Sequence, residues 1–441
     1  MKRWNCRINF SLRRLYCIFQ NVMATKTIIT PVLKFWGFER HPFDDLVLRG
    51  NDMSLFVDRD AEVRRLQNAL SHPLCGVFGA QGIGKSSVLN KLVLVSIKDG
   101  HAVVTVQMMG TSENLLYREI LAAVLREILA GNINMSAKLK LKADQELERV
   151  QNSIKYISSV EAAGEVGWKA LLNLAVKTGI KKQEEHELAK HTEETAVELI
   201  RDIARNAKDP FVVVIDNLER AKYILNNKDA YFRFITKFAQ TIDTTFSELG
   251  VPFVVSLDQS FPDRIDGFLP GAEEAYSFSF GQLVEIKVFS PCDFFKLVSK
   301  RLGHRKWPGT TDDFIEQDAF WALMLATGGH PRRAFAVLRE AMELIAAKNG
   351  KKTIRLEHIR AAVDECGEKL AETDMRIFQF LVANGPHSSS DDKFMKAAGI
   401  GRAQLRTRLA ELQKKGLLLV EEESSGNVKK DIYSVENLDP K

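Results

Sequence analysis

The stretch CGVFGAQGIGKSSVLNKLV, residues 75–93, decides how the chain is read. Gly79 is followed by Ala80, Gln81, Gly82 and Ile83, and then by Gly84, Lys85 and Ser86. This is GxxxxGK[ST], the Walker A phosphate-binding loop. The apolar LCGVF before it reads as a short buried strand, and SSVLNKLVLVSI after it has helical spacing of apolar residues. Strand, glycine loop and helix are the context the motif needs. The glycines let backbone N–H groups turn inward around phosphates. The helix start adds the positive end of its dipole. In such a loop Lys85 reaches the β and γ phosphates and the Ser86 hydroxyl ligates magnesium. Gly79 to Ser87 are therefore the expected nucleotide contacts, with ATP and Mg²⁺ as the ligands.

Working outward, four more strands follow. HAVVTVQMM (101–109), FVVVIDNLER (211–220), VPFVVSLDQS (251–260) and VEIKVF (284–289) are rich in β-formers, and helical patterns lie between them. Alternation of this kind predicts an α/β fold: a parallel sheet with helices on both faces and ligands at the carboxyl ends of the strands. Asp216 closes a run of five apolar residues. A buried acid is costly unless it meets a cation or hydrogen bonds, and magnesium supplies the reason. Ser256 and Asp258 end the 251–260 strand on the same edge.

The totals bound the rest. A chain of 441 residues holds roughly two to four domains. The net charge of +5 is compatible with nucleic acid without demanding it. The five cysteines, Cys6, Cys17, Cys75, Cys292 and Cys366, lie far apart, with no metal-ligand or redox spacing. That fits free, mostly buried thiols in a reducing, cytoplasmic setting. Residues 1–34 form a basic leader. MKRWNCRINFSLRRLYCIF lacks the uninterrupted apolar stretch of about 7–15 residues of a signal peptide. It reads as a disordered leader, or as the product of an upstream start codon with Met23 as the start; weak binding to a membrane surface is the other reading. Nowhere does the chain approach the run of about 18 apolar residues of a membrane span.

With these motifs in place, the chain resembles the AAA+ ATPases of the origin-recognition initiator group and related bacterial and archaeal P-loop ATPases, over roughly residues 35–437. LFVDRDAEVRRLQNAL (55–70) resembles the segment that closes over the adenine, with Asp58 in place of the usual glycine and Arg59 and Glu62 retained. The resemblance implies that Val57 and Arg59 lie near the base. GFERHPFD (37–44) looks like the lead-in of such ATPases. The 251–258 strand occupies the sensor 1 place, where Ser256 and Asp258 are both candidates to read the γ-phosphate or hold the attacking water. FSPCDFFKLVSKRL (289–302) resembles the entry to a helical lid, and ATGGHPRRAFAVLREAM (326–342) its sensor 2 signature. Arg332 best matches the arginine that contacts the phosphate, with Arg333 as the fallback. A guanidinium delivered from a lid would couple lid angle to nucleotide state. The implied organisation is an ATPase core over 35–289, a helical lid over 290–365 and a winged helix over 372–437.

The C-terminal pattern stands on its own residues too. ETDMRIFQFLVANG is a helix stopped by Gly385, and SSDDKFMKAAGI begins with a capping-type Ser/Asp cluster. GRAQLRTRLAELQKKGLL puts Leu405, Leu409 and Leu412 on one face and Arg402, Gln404, Arg406 and Arg408 on the other. LLVEEESSGNVKKDIYSV reads as two strands around a Ser-Ser-Gly-Asn turn. Such a module sets a helix in the DNA major groove and a wing on the backbone. Arg402, Gln404 and Arg406 would face double-stranded DNA, and Lys429 and Lys430 would touch phosphates. The acidic EEE at 421–423 in the same wing weakens that reading and favours a winged helix used for protein contact.

Two further points stay open. About 100 residues separate the second and third strands (110–210), with a helical insert expected at about 133–192; it is either a partner- or DNA-contacting element or an elaboration packed on its own sheet. After Asp216 the family usually has a glutamate that polarises water, and here stands Asn217, which can orient water but cannot accept its proton. Either Glu219 is brought round by the turn after the strand, or hydrolysis is slow and the protein is a switch. The reading taken is a slow ATPase with Glu219 assisting. Arg220, Arg233 and Arg264 are candidates for an arginine finger acting between stacked subunits. The function that follows is an ATP-controlled, oligomer-forming DNA-binding protein, in replication initiation or loading, transposition or defence. The alternative is a STAND-like signalling ATPase whose winged helix and insert bind protein partners.

Overall fold

The computed structural model describes residues 30–44, 46–107, 113–163, 193–220, 228–261, 281–425, 428–436 and 438. The expected leader, the finger candidate Arg264, the apolar part of the insert and the tip of the wing lie outside these residues, and the side chains of Arg220 and Lys429 are not among those described. The chain divides into two compact bodies, one from Val47 to Lys287, the other joining the chain up to Leu46 with Val288–Lys441. The first helix, α1 (Pro31–Trp36), belongs to the second body.

The first body is built on five parallel strands: β1 (Leu74–Gly79), β2 (Ala102–Gln107), β3 (Phe211–Asp216), β4 (Phe253–Asp258) and β5 (Gln282–Glu285). Their order is β2-β3-β4-β1-β5. β3 and β4 are buried along their first five residues, as strands covered on both faces must be. The register sets Gly79 beside Asp258 and Gln107 beside Asp216. The loop after β1, the acid of β3 and the tip of β4 thus share one sheet edge, as expected for an α/β fold of this kind. The last strand ends at Glu285, short of the expected 289. Ile286 N still donates to Phe78 O, at 2.8 Å.

The helices of this body are α2 (Asp60–Ala69), α3 (Lys85–Lys98), α4 (Glu113–Ala130), α5 (Ala137–Ala163), α6 (Glu193–Asn206) and α7 (Lys228–Phe246). α4 is buried nearly all round, Arg118 included, and Leu116, Ile120, Leu121, Val124 and Ile128 are fully buried. It packs on β2 with one face, and α5 and α6 cover the rest, burying Ala143, Val150, Ala196 and Ile200. In its described part the insert is therefore an elaboration on the domain's own core.

The second body starts with α1 and continues with α8 (Pro291–His304), α9 (Thr311–Phe314), α10 (Gln317–Thr327), α11 (Pro331–Ala347) and α12 (Leu356–Glu365). Residues 35–46, assigned on sequence to the ATPase core, pack here instead. The Trp36 indole donates to Met342 O at 3.0 Å, and Trp36, Phe38, Phe43, Trp307 and Phe314 form one aromatic cluster. Buried Arg301 donates to the carbonyls of Pro42 and Asp44, at 3.1 and 2.7 Å. Its charge faces Asp44 Oδ1 at 3.3 Å. Arg339 donates to Phe43 O. The segment carries its largest side chains toward the helices after 288, so it goes where they are buried.

The same body ends in α13 (Glu372–Asn384), β6 (His387–Ser388), α14 (Asp392–Ala398), α15 (Arg402–Lys414), β7 (Leu419–Ser425) and β8 (Val428–Ser434). The three strands form an antiparallel sheet in the order β6-β8-β7. Three helices and a hairpin follow one another here in the order expected from the sequence. Asp391 caps α14 by accepting from Lys393 N at 2.7 Å and Phe394 N at 3.2 Å. Ile377, Phe378, Phe394, Leu405, Leu409 and Tyr433 make its core.

Candidate nucleotide-binding site

The loop between β1 and α3 has the backbone of an anion cradle. Gly79, Gly82 and Gly84 have φ of 152°, 82° and 109°, values that L side chains rarely adopt. At Gly79 space forbids a side chain as well, because a Cβ would sit 2.6 Å from Ile286 O. Lys85 is buried, and its ammonium donates to Gly79 O at 2.9 Å and Ala80 O at 3.2 Å. Ile83 is buried beneath the loop. The Ser87 hydroxyl, expected on the nucleotide, accepts from Leu48 N at 3.4 Å. Asn90 Nδ2 donates to Leu48 O at 3.0 Å. Together they tie the strap before Val57 to the helix; these were not legible in sequence, since the partners lie about 40 positions apart.

Across the cradle, Ser86 Oγ donates to Asp216 Oδ1 at 3.0 Å, and Asn217 N donates to the same oxygen at 2.9 Å. Burial raises the Asp216 pKa above the ordinary carboxylate value, the Ser86 hydrogen bond opposes the rise, and the negative charge of Glu219 adds to it. A hydroxyl and a carboxylate facing each other are the oxygen donors a hard cation takes. A cation is also what a carboxylate with a raised pKa lacks. The residues present therefore fit Mg²⁺, which Ser86 and Asp216 would hold. Among the described residues no group of three or more His, Cys, Asp or Glu could hold a metal ion.

Glu219 is the residue whose place the sequence left open. Asn217 leaves the strand with φ 64°, in the left-handed region that asparagine tolerates better than most residues. Leu218–Arg220 then make one 3₁₀ turn, and Leu218 is fully buried. The turn carries Glu219 back toward the loop, with Oε1 3.3 Å from Lys85 Nζ. Its Oε2 accepts from Ser256 Oγ at 2.8 Å. The Ser256 hydroxyl also lies near enough to Asp216 to favour its charged form, but its one hydrogen is directed to Glu219 by the short contact. Asp258 Oδ1 accepts from Ser260 N at 3.0 Å and from the Ser260 hydroxyl.

Asp58, which replaces a glycine, has φ 49°, the backbone a glycine would supply. Arg59 is buried. Its guanidinium donates to Glu62 Oε1 at 3.0 Å and to Lys287 O. It thereby fastens α2 to the end of the sheet, next to half-buried Val57.

In the second body the GGHPRR turn opens α11. Gly328 and Gly329 have φ of 61° and 72°, and a Cβ on Gly329 would lie 2.4 Å from Phe289 O. His330 caps the helix, and Arg332 and Arg333 are exposed on its first turn. Arg333 Nε is 3.6 Å from Glu368 Oε1. On α15, Arg402, Gln404 and Arg406 are exposed, while Arg408 is tied to Asp374 at 3.2 Å and Glu411 at 2.7 Å. In the wing, Lys430 stands opposite Glu423 and Glu422 opposite Asp431.

Residues 55–224 match the AAA ATPase domain as a family. The chain carries an AAA ATPase domain. An uncharacterized HTH-type transcriptional regulator of Methanocaldococcus jannaschii is 36% identical over 107 residues, which are 23% of this chain and 25% of that protein. The match thus spans a quarter of the curated relative's length. Among solved structures, the Aeropyrum pernix ORC1 protein in complex with DNA aligns at a TM-score of 0.40 and 15% identity, covering 89% of this chain and 93% of that one. The Aeropyrum pernix ORC2 protein aligns at 0.43 and 14%, covering 91% and 94%. A Walker-type ATPase of Pyrococcus abyssi aligns at 0.37 and 15%, covering 89% and 97%. The chain is of the ATPase type, with the parallel sheet of a P-loop core. Among the described residues no helix is long and apolar enough to cross a membrane.

Proposed function

We propose that the chain binds MgATP in the 79–87 loop, hydrolyses it slowly with Glu219 as general base, and uses the nucleotide state to control oligomerisation and binding of double-stranded DNA. The observation that carries the hydrolytic part is the Glu219 carboxylate, held between Lys85 and Ser256 at 3.3 and 2.8 Å. A carboxylate at that position is within reach of a water attacking the γ-phosphate, the group Lys85 would hold. Magnesium, held by Ser86 and Asp216, would neutralise charge developing on the phosphates. Asn217 serves the turn rather than the proton transfer. The α11 arginines would report the γ-phosphate from the lid, Arg332 first and Arg333 as fallback. The DNA reading is supported by the exposed Arg402, Gln404 and Arg406 on α15.

The test is phosphate release by the purified protein with and without duplex DNA, beside Lys85→Ala and Glu219→Gln. Turnover stimulated by DNA, abolished by Glu219→Gln while ATP still binds, supports the proposal. Tight ATP binding with negligible turnover that ignores DNA rejects it. The exposed acids Glu421, Glu422 and Glu423 favour the second reading, a STAND-like switch whose winged helix meets a protein. In that case charge reversal at Arg402 and Arg406 leaves the activity intact.

A further inference from the structure

Ser256 interrupts an otherwise apolar strand, FVVSLD, and is fully buried. β4 is flanked by β1 and β3, so it is an interior strand of the sheet. A hydroxyl placed there must find a partner, and it donates to Glu219 Oε2 at 2.8 Å. Glu219 itself comes from a three-residue turn behind a left-handed residue. A glutamate on such a turn is not aligned by the strand's hydrogen-bond ladder, so the contacts of its carboxylate help fix its direction. Lys85 takes one oxygen and Ser256 the other. A serine has one hydrogen to donate, and here it is spent on the carboxylate rather than left for a phosphate. Asp258, the other polar residue near this strand end, is engaged with the Ser260 amide and hydroxyl.

We propose that Ser256 is a positioning residue that acts through Glu219, orienting its carboxylate toward the attacking water, and is not a direct sensor of the γ-phosphate. This rests on the reading of Glu219 as the base. Such an anchor is needed because the acid sits three positions beyond Asp216 and arrives on a turn, where a glutamate directly after the strand would be held by the strand itself.

The experiment measures kcat and the dissociation constants of MgATP and MgADP in the full chain for Ser256→Ala, Ser256→Cys, Ser256→Thr, Glu219→Gln and the Ser256→Ala/Glu219→Gln pair, with single-turnover ATP cleavage for the slow variants. Misplacing the base is expected to lower kcat about 10–100-fold in Ser256→Ala, with both dissociation constants within about twofold, since a removed transition-state contact leaves ground-state binding unchanged. Ser256→Cys, close in volume but a weak donor, behaves like Ser256→Ala, and Ser256→Thr, which keeps the hydroxyl, recovers most of the rate. The double variant is no slower than Glu219→Gln alone. Wild-type kcat in Ser256→Ala overturns the proposal. So does selective loss of ATP over ADP affinity with kcat retained, which would make Ser256 a phosphate sensor, and so does a double variant slower than Glu219→Gln. Glu219→Gln hydrolysing at the wild-type rate is a separate outcome: it removes the base itself, and the Ser256 role with it.

Discussion

The backbone at Asn217 makes the sharpest quantitative test. Its φ of 64° lies in the left-handed region, where a side chain other than asparagine or aspartate costs about 1–2 kcal/mol and glycine is free of that cost. The turn it makes closes with the Asn217 amide on Asp216 Oδ1 at 2.9 Å and with Leu218 buried. Asn217→Gly is then expected to leave the stability of the sheet body within about 1 kcal/mol of wild type, since glycine adopts this backbone without strain and loses only through the greater freedom of the unfolded chain. Asn217→Ala and Asn217→Glu should each lose about 1–2 kcal/mol, and β-branched Asn217→Val more. For a body of this size that is a fall in melting temperature of about 2–8 °C. Calorimetry of the nucleotide-free protein reads the series directly. The functional corollary is that Asn217→Glu does not restore turnover to Glu219→Gln, although it puts a glutamate directly after the strand. Equal stability of the Gly, Ala and Val variants would refute the left-handed turn. Rescue of Glu219→Gln by Asn217→Glu would refute the assignment of the site to position 219.

Other expectations follow from the same geometry. Gly329→Ala places a Cβ 2.4 Å from Phe289 O at a φ of 72°, and should destabilise the second body by more than about 2 kcal/mol, read by urea unfolding. His41 is held down to about 4 by burial, with Arg339 and Arg301 adding to the effect. The unfolded chain binds that proton near pH 6.5, so stability is full above about 6.5 and is lost as pH falls toward 4, by up to about 3 kcal/mol; His41→Asn should flatten that slope. If Arg402, Arg406 and Lys430 each neutralise one phosphate, duplex affinity should drop about 40-fold between 50 and 200 mM salt. Charge reversal at the two arginines should then remove duplex binding while MgATP affinity is kept. Burial pushes the Cys75 thiol up to about 12, so it should resist alkylation in the native protein and react once unfolded.

Much of this protein was legible in local sequence, for a definite reason. The loop from Gly79 to Ser86 is a continuous segment whose backbone is dictated by its own glycines, and β3 is announced by an unbroken apolar run that only a strand covered on both faces can bury. The α15 leucines at four- and three-residue spacing likewise state which face is inside. Asp58 is legible as a glycine replacement only through the resemblance of residues 55–70 to the family segment, and its φ of 49° agrees with that. The loop, the strand and the helix face depend on neighbours within one turn or one strand, so their residue types specify them.

Contacts between distant segments were decided only when the chain folded. Lys85, Glu219 and Ser256 stand far apart in sequence and share one carboxylate; the sequence favours Glu219 as the assisting acid, but no spacing rule could say that Ser256 rather than Asp258 would meet it. Residues 35–46 look like the opening of the ATPase core, yet Trp36 and Phe43 bury themselves among the helices after 288, where Arg301 and Arg339 find the segment's carbonyls. Ser87, at the end of the loop, accepts from Leu48 N, a partner about 40 positions away. In each case a buried polar or aromatic group had several chemically acceptable partners in the sequence. The packing of the sheet and helices left only one of them within hydrogen-bond or van der Waals reach.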